Sequence, residues 1–185
     1  YKYEDSDEKK NENVGVINKS AKHLLNIINT ILDFASLKYG INEVNESKFD
    51  LEEMIKDVYS LFSYEVVRKK INFYIYVDPY LKGECAGDKV KIMQVLINLI
   101  GNAVKFTDTG YVFFKCEKKA AYDNEILVNF EIADSGSGIS DEDVTKIFEP
   151  FVKGKKNTAN GKEGTGLGLS ITREILSALG SEINY

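Results

Sequence analysis

The chain has 185 residues, of which 43% are hydrophobic and 29% charged, the balance of an ordinary globular protein. The net charge is −5 and no basic stripe is present, so no nucleic acid partner is expected. No apolar run approaches the ~20 residues that span a bilayer, and the sequence predicts no signal peptide. Cys85 and Cys116 lack the spacing of a metal or redox site, which predicts free thiols in a reducing compartment, the cytoplasm.

The first 45 residues are predicted to hold a flexible lead-in and one long helix. Residues 1–12 are charged and lack an apolar period, which is typical of a flexible segment. Residues 13–45 contain apolar side chains at helical spacing as far as Gly40, followed by a polar linker. The apolar surface is wide for a lone helix, so we expect it to pack on a partner helix or on the domain core. Because the chain begins with Tyr rather than Met, we expect a piece of a longer protein.

Residues 46–185 alternate helices with antiparallel strands and lack a regular βαβ rhythm, which predicts one α+β sandwich domain. Asp50 is predicted to cap the first helix, with Glu53 completing a capping box, and Ser140 to cap a later one. The polar segment before Asp50 is interpreted as a linker. The predicted helices are 51–70, 89–106, 140–148 and 165–180; the predicted strands are 71–77, 111–119, 125–134 and one beginning at 181–185; residues 80–88 are predicted to turn.

The helix over 89–106 carries a polar face that its apolar pattern does not require. Asn98, Asn102 and Lys105 follow one another at offsets of four and three residues, which places them on one side of the helix. An asparagine oxygen is a suitable ligand for Mg²⁺, and a lysine one turn later is a point charge for phosphates. The alternative is a solvated polar stripe.

Two glycine-containing segments follow this helix. In "DSGSGIS", residues 134–140, Asp134 ends a strand and is followed by two glycines, which permit close approach of a ligand or simply form a tight turn. In "GKEGTGLGLS", residues 161–170, four glycines lead into a helix whose first N–H groups favour an anion, usually phosphate. The segment is not a P-loop, and a flexible loop is the alternative.

The three segments together resemble the ATP-binding catalytic domain of a sensor histidine kinase, in the superfamily that includes gyrase B, the Hsp90 chaperones and MutL. Other parts of the chain resemble this family as well, and the likeness covers roughly residues 14–185. The motifs that carry it are the N box "QVLINLIGNAVKFT" (94–107), the G1 box "DSGSGIS", the F box "IFEPF" (147–151), the G2 box "GTGLGLSI" (164–171), the second hairpin helix "LLNIINTILDFASLKYG" (24–40) and the domain entry "FDLEEMIKDV" (49–58).

The resemblance implies a two-layer α/β sandwich, with a mixed sheet on three helices, that binds ATP and Mg²⁺. Asn102 is then the Mg²⁺ ligand and, with Lys105, the catalytic pair, while Asp134 binds the adenine amino group. The other implied nucleotide contacts are Asn98 and Lys105 on the phosphate side, Gly136 and Gly138 at the adenine edge, and the backbone N–H groups of Gly164, Gly166 and Gly168 around the phosphates. Thr165 is implied to lie near the base or the lid, and Leu167 is a further implied nucleotide-binding residue.

The resemblance also implies a mobile lid over residues 152–163. Its lysines Lys153, Lys155 and Lys156 approach the γ-phosphate, or else belong to a solvated loop. Phe148 and Phe151 are expected to pack the base of the lid against the core.

The implied reaction is transfer of the γ-phosphoryl group of ATP to a histidine on a hairpin domain that is mostly absent from this chain. The implied partners are the acceptor helix of the same or a paired chain, a response-regulator receiver domain, and a second copy in a full-length homodimer. His23, the one histidine, lacks the flanking residues and the position of an acceptor. A degenerate nucleotide-binding or scaffold module is therefore the alternative, whereas a hydrolysing ATPase is disfavoured because the N box carries no acid.

Overall fold

The computed structural model describes residues 43–123, 125–152 and 164–185, with the backbone alone for Tyr122, and part of an N-terminal helix. The chain divides into two units, Tyr1–Ile41 and Asn42–Tyr185. In the first unit the described residues are helical, and most expose apolar side chains; they are Val14, Ile17, Ala21, Leu24, Leu25, Ile28, Ile31, Leu32 and Ala35. The predicted lead-in over 1–12 and His23 lie outside the described residues. The boundary predicted between residues 45 and 46 stays a prediction.

The second unit contains a mixed three-stranded sheet and a small two-stranded one. The strands are β1 (Ser47–Asp50), β2 (Asn72–Val77), β3 (Glu84–Gly87), β4 (Tyr111–Tyr122) and β5 (Glu125–Asp134). In the larger sheet, ordered β2-β4-β5, β2 runs parallel to β4 with Asn72 opposite Tyr111. β5 runs antiparallel to β4 with Asp134 opposite Val112, so the predicted hairpin is confirmed. β1 and β3 pair antiparallel with each other.

Among the described residues of this unit, three longer helices and one short helix accompany the sheet. They are α1 (Leu51–Lys69), α2 (Lys89–Phe106), α3 (Asp141–Val144) and α4 (Gly168–Ala178), with a 3-10 turn over Pro79–Leu81. α2 packs against both α1 and α4 and also contacts β5, so it occupies the centre of the helical layer. The α+β class with a mixed sheet is therefore as predicted. Among the helices of the described residues, none combines the length and apolar character that a membrane span requires.

The core lies between the sheet and helices α1 and α2. Its side chains come from the inward face of each element and include Met54, Val58, Leu96, Ile100, Val112, Phe114 and Cys116. Alternate residues of β4, from Val112 to Cys116, are fully buried, which is the period of a strand with one covered face. Cys85 and Cys116 are unpaired thiols, and burial raises the pKa of Cys116 to about 12.

Three predicted elements differ from the structure. β1 and β3 lie in segments interpreted as a linker and a turn. The sequence does not reveal these strands, because each has four residues and only Phe49 among them is fully buried. The predicted helix over 140–148 is helical only over Asp141–Val144, although Ser140 caps it as predicted. The strand predicted to begin at 181–185 is wrong: this segment has no strand in the structure, since its short run offers one partly buried residue, Ile183, for a sheet to cover.

Asp88 fixes the start of α2. Its carboxylate is 3% exposed and accepts the Lys91 N–H at 3.0 Å, the Asn45 N–H at 3.0 Å and the Lys91 ammonium at 3.1 Å. Burial alone would raise the pKa of Asp88, but the hydrogen bonds from Lys91 and Asn45 outweigh it and the pKa lies below its usual value of 3.8. The helix that carries the polar face is therefore held in place by an ionised cap.

We expect Asp88→Ala to lower the free energy of unfolding by about 2 kcal/mol at pH 7, because a buried helix cap is lost. A lowered pKa in the folded state stabilises the fold above the unfolded-state pKa, and this contribution disappears as the pH falls through the folded value. The difference between variant and parent should therefore shrink in acid when urea unfolding is measured from pH 7 to pH 3.

The matched control is Asp50→Ala, which removes the cap of α1. Asp50 accepts the Glu53 N–H at 2.8 Å at a more exposed position, so a loss of about 1 kcal/mol at pH 7 is expected. Equal destabilisation by Asp88→Ala at both ends of the pH range would contradict the assignment of an ionised, stabilising cap.

Candidate functional site

The polar face of α2 lies against the glycine segment that precedes α4. The Asn98 side-chain amide donates to Thr172 Oγ1 at 2.7 Å, and a Cβ added to Gly168 would collide with Asn98 Oδ1. One end of the face therefore touches the first turns of α4. At the other end, a Cβ added to Gly164 would lie 2.9 Å from Lys105 Nζ.

Asn102 lies on α2 between these two contacts. It follows Asn98 by four residues and precedes Lys105 by three, so it shares their side of the helix. The side chain is half-buried, which leaves part of it accessible. Asn98 and Lys105 thus lie against the segment from Gly164 to Gly168, and helical spacing puts Asn102 on the same side of α2.

The glycine segment has a backbone conformation that side chains would disturb. Gly166 has φ of +73°, and a Cβ there would lie 2.8 Å from the carbonyl carbon of Phe151. Its carbonyl accepts the Phe151 N–H at 2.8 Å, which ties the segment to the end of the F box. Thr165 Oγ1 accepts the Leu167 N–H at 3.3 Å, and Leu167 is 1% exposed. Leu167 therefore anchors the segment in the core while the glycine backbone approaches α2.

The start of α4 gives the site a positive end. A helix leaves its first N–H groups without partners inside the helix, and the macrodipole places a partial positive charge there. Leu167 at the cap position makes no side-chain bond to these N–H groups, and the first turn carries no acidic residue. Together with the Lys105 ammonium near Gly164, this end of the site has the charge that suits a phosphate.

A second part of the site lies at the end of β5, beside the last turn of α2. Asp134 is exposed, and its Oδ1 accepts the Gly136 N–H at 2.8 Å and, over a longer 3.5 Å, the Thr107 hydroxyl. A Cβ on Gly136 would lie 2.6 Å from the Phe106 carbonyl oxygen, so the backbone at Gly136 packs directly against the end of α2. Gly138 has φ of +66° and open space around it. The Asp134 carboxylate is thus oriented by hydrogen bonds and exposed next to an open glycine turn.

The predicted lid is only partly described. Val152 is half-buried, whereas Lys153, Lys155, Lys156 and the rest of 153–163 lie outside the described residues. Phe148 is partly buried, but Phe151 is 66% exposed, so the expectation that its ring packs on the core is wrong. Phe151 has φ of +65°, and its N–H donates to the Gly166 carbonyl.

Sequence reasoning missed two polar residues of the site, Thr107 and Thr172. Thr107 is 0% exposed at the end of α2, and Thr172 is 1% exposed within α4. A threonine buried among apolar residues needs a hydrogen-bond partner, and that requirement is the signal that would have found them. Each one bonds to a predicted residue, Asp134 or Asn98, and so orients its side chain.

Comparison with known proteins places this site in a family. The profile of the "Histidine kinase-, DNA gyrase B-, and HSP90-like ATPase" family matches residues 87–185, which include α2, β5 and α4. The chain is 29% identical over 174 residues to the signal transduction histidine-protein kinase BarA of Escherichia coli K12. That match covers 94% of this chain and 19% of BarA, so the chain spans less than a fifth of that relative.

Two solved structures show the same architecture. Full-length ShkA in complex with AMPPNP has a TM-score of 0.73 and 32% identity, over 88% of this chain and 32% of ShkA. The histidine kinase ThkA in complex with the response regulator protein TrrA has a TM-score of 0.65 and 28% identity, over 90% of this chain and 43% of that one. The chain therefore belongs to the histidine kinase-, DNA gyrase B- and HSP90-like ATPase family, in which it is an ATP-binding catalytic domain of the histidine kinase type.

Proposed function

We propose that this domain binds ATP along the polar face of α2 and presents the γ-phosphoryl group to a histidine on a helical hairpin domain. The proposal rests on the position of α2, which lies between one group of residues suited to phosphates and another suited to adenine. Asn98 and Lys105 lie against the glycine segment at one side, and Asp134 is fixed beside the last turn of α2 at the other.

Adenine recognition is assigned to Asp134. An ionised carboxylate only accepts hydrogen bonds, which suits the exocyclic amine of adenine. Oδ1 is already oriented by the Gly136 N–H and the Thr107 hydroxyl, so Oδ2 is the oxygen proposed to accept from the base. Gly136 and Gly138 leave the edge of the pocket without side chains, which allows the flat base to approach the backbone.

Phosphate binding is assigned to the glycine segment and Lys105. The N–H groups of Gly164, Gly166 and Gly168 are proposed to cradle the phosphates before the first turn of α4, and a Cβ at each of these positions would meet Lys105, the Phe151 backbone or Asn98. The fit of glycine to this segment is the support for a backbone cradle. Lys105 adds a point charge for the phosphates, and Lys153 is proposed to approach the γ-phosphate from the lid.

Mg²⁺ is proposed to bind through Asn102. This ion takes oxygen ligands and in nucleotide sites is held by one or two protein groups together with phosphates and water. The half-buried amide of Asn102, midway along the polar face, meets that requirement. When bound, the ion neutralises charge on the phosphates, and phosphoryl transfer otherwise depends mainly on positioning, which α2 and the glycine segment supply.

The proposed partners are the acceptor-histidine helix of the same or a paired chain and a response-regulator receiver domain. The solved complex of ThkA with TrrA supports the second of these, because the ThkA chain is similar over most of this one. Homodimerisation of the full-length protein is proposed on the exposed apolar side chains of the N-terminal helix, among them Leu24, Ile28 and Leu32. Two free thiols, Cys85 and Cys116, support a cytoplasmic location.

Replacement of Asn102 tests the metal assignment. We expect Asn102→Ala to abolish the increase in ATP affinity that Mg²⁺ gives, while affinity without Mg²⁺ stays within about twofold, because only the metal ligand is lost. Isothermal titration with AMPPNP, with and without Mg²⁺, measures both values. Asn129→Ala, a half-buried asparagine on β5 bonded to Glu117, is the matched control and should retain the full Mg²⁺ effect. An undiminished Mg²⁺ effect in Asn102→Ala would show that the ion binds elsewhere.

Phosphoryl transfer itself is tested with a separately supplied hairpin domain that carries an acceptor histidine. The chain with Mg²⁺ and ATP is expected to form acid-labile, alkali-stable phosphohistidine on the hairpin, and the Asp134→Asn variant is expected to form much less. ATP binding without transfer to hairpins from several histidine kinases would favour a nucleotide-sensing module instead.

A further inference from the structure

The last residue of α1, Lys69, holds the C-terminal end of α2. Its ammonium donates hydrogen bonds to the carbonyl oxygens of Val104 at 2.7 Å, Lys105 at 3.0 Å and Thr107 at 2.9 Å. An ammonium has three donors, and three carbonyls converge on this one. Asp108 Oδ1 lies 3.7 Å from the same ammonium, and the Lys69 side chain is 19% exposed.

These carbonyls are the groups that a helix end leaves without partners. The last four C=O groups of an α-helix accept no intrahelical bond, and they carry the negative end of the macrodipole. The partly buried ammonium of Lys69 therefore both completes their hydrogen bonds and offsets their partial negative charge. Lys69 does for the end of α2 what Asp88 does for its start.

The turn held by Lys69 joins the two ends of the candidate nucleotide site. Lys105, whose carbonyl it binds, has its ammonium near Gly164. Thr107, whose carbonyl it also binds, directs its hydroxyl to Asp134. Between them, the Phe106 carbonyl lies against Gly136. A shift of this turn would move the phosphate side and the adenine side of the site relative to each other.

The backbone around Lys69 gives the contact a rigid base. Lys70 has φ of 55° and its N–H donates to the Val66 and Val67 carbonyls, which ends α1 in a fixed left-handed cap. Two residues later, the Asn72 N–H donates to the Gly110 carbonyl at 2.9 Å. The end of α1 and the start of β2 therefore each contact the turn between α2 and β4, through Lys69 and Asn72.

We infer that Lys69 is a positioning residue for nucleotide binding: it sets the last turn of α2 so that Lys105 and Asp134 hold one ATP molecule between them. The inference rests on the proposed function, because it assigns both residues to one ligand. Lys69 itself need not contact the nucleotide.

The test is Lys69→Met, which keeps the length of the side chain and removes the ammonium. We expect the dissociation constant for Mg²⁺–AMPPNP to rise about tenfold or more, since each 1.4 kcal/mol of lost preorganisation is a factor of ten. In the nucleotide-free chain, amide hydrogen exchange is expected to accelerate at Thr107 and Gly136 but not at Ile92, whose N–H donates to the Asp88 carbonyl at the far end of α2.

Two further variants separate positioning from stability. Lys70→Met removes the same charge one residue later from an exposed side chain and should leave affinity and exchange unchanged. Lys69→Arg retains a cation, but its guanidinium is planar whereas the three carbonyls converge on one point. Its affinity for Mg²⁺–AMPPNP should therefore lie between those of Lys69→Met and the parent chain. Exchange that accelerates equally at Thr107, Gly136 and Ile92 would assign Lys69 to general stability and overturn the inference.

Titration of the parent chain beside Lys69→Met keeps failure of the proposed function distinguishable from failure of the inference. If the parent chain binds no AMPPNP, the proposed function fails, and the inference about Lys69 is overturned with it even where exchange is local. If the parent binds and Lys69→Met binds equally well, the proposed function survives and the inference about Lys69 is overturned.

Discussion

Asp134→Asn is expected to lower the affinity for ATP by about ten- to hundredfold while leaving the fold intact. The asparagine oxygen can still accept the Gly136 N–H and the Thr107 hydroxyl, as Asp134 Oδ1 does now. The other atom becomes an NH₂ group, which faces the adenine amine with a donor instead of an acceptor. Loss of one hydrogen bond to a charged group is worth about 1.5–3 kcal/mol, which gives the stated range.

The measurement is a calorimetric titration with AMPPNP beside one with inorganic triphosphate. Affinity for triphosphate should be unchanged, because the phosphate side lies at the glycine segment and Lys105. Glu131→Gln is the matched control, since it neutralises an exposed carboxylate on the same strand. An equal loss of affinity for triphosphate and for ATP in Asp134→Asn would show that Asp134 stabilises the fold and does not bind adenine.

Gly136→Ala is expected to destabilise the domain by about 2–3 kcal/mol and to abolish measurable ATP binding. The added Cβ would lie 2.6 Å from the Phe106 carbonyl oxygen and 2.7 Å from Asp134 Oδ1. The first of these is backbone at the end of α2, so the clash is relieved only if the turn after β5 moves away. Such a movement displaces the Asp134 carboxylate from the site.

Gly87→Ala is the control for this substitution. A Cβ at Gly87 would meet the Ile92 and Phe49 side chains at 3.7 Å, an ordinary contact, so stability and affinity should change little. Urea unfolding and AMPPNP titration report the two effects. Wild-type affinity in Gly136→Ala would contradict the assignment of this turn to the edge of the adenine pocket.

The long elements of this fold were predictable because each carries its own pattern. α2 occupies Lys89–Phe106 as predicted, since its apolar period is continuous and Asp88 caps it. β5 occupies Glu125–Asp134 as predicted, since it alternates and ends at a glycine turn. β1 and β3 were not predictable, because four-residue strands exist only through their pairing with each other, as in Phe49 opposite Cys85.

The motifs of the candidate site could be predicted from the sequence, whereas the hydrogen bonds that connect its residues could not. Side-chain chemistry pointed to Asn98, Lys105 and Asp134, and the structure places each beside a glycine turn. The residues that orient them, Thr107 and Lys69, carry no motif: their contacts join positions 27 and up to 38 residues apart. Such contacts depend on how the elements pack, which local sequence patterns do not specify.

Phe151 shows a limit of reasoning by residue type. A phenylalanine beside a lid suggests a ring buried in the core, yet its side chain is 66% exposed. Its backbone has φ of +65° and its N–H donates to the Gly166 carbonyl, a contact that the residue type does not indicate. Local pattern predicts which residues prefer burial, whereas the path of the chain determines which of them achieve it.

The central claim is that one nucleotide bridges the glycine segment 164–168 and the turn after β5, and it is tested most directly by an NMR titration of the chain with Mg²⁺–AMPPNP. We predict saturable changes in the amide signals of Gly136 and Gly138 together with those of residues 164–168, all with one dissociation constant. Signals from the outer part of the sheet, such as Asn129, should stay unchanged. Absence of saturable changes at millimolar nucleotide, or changes confined to residues away from these two turns, would contradict the account.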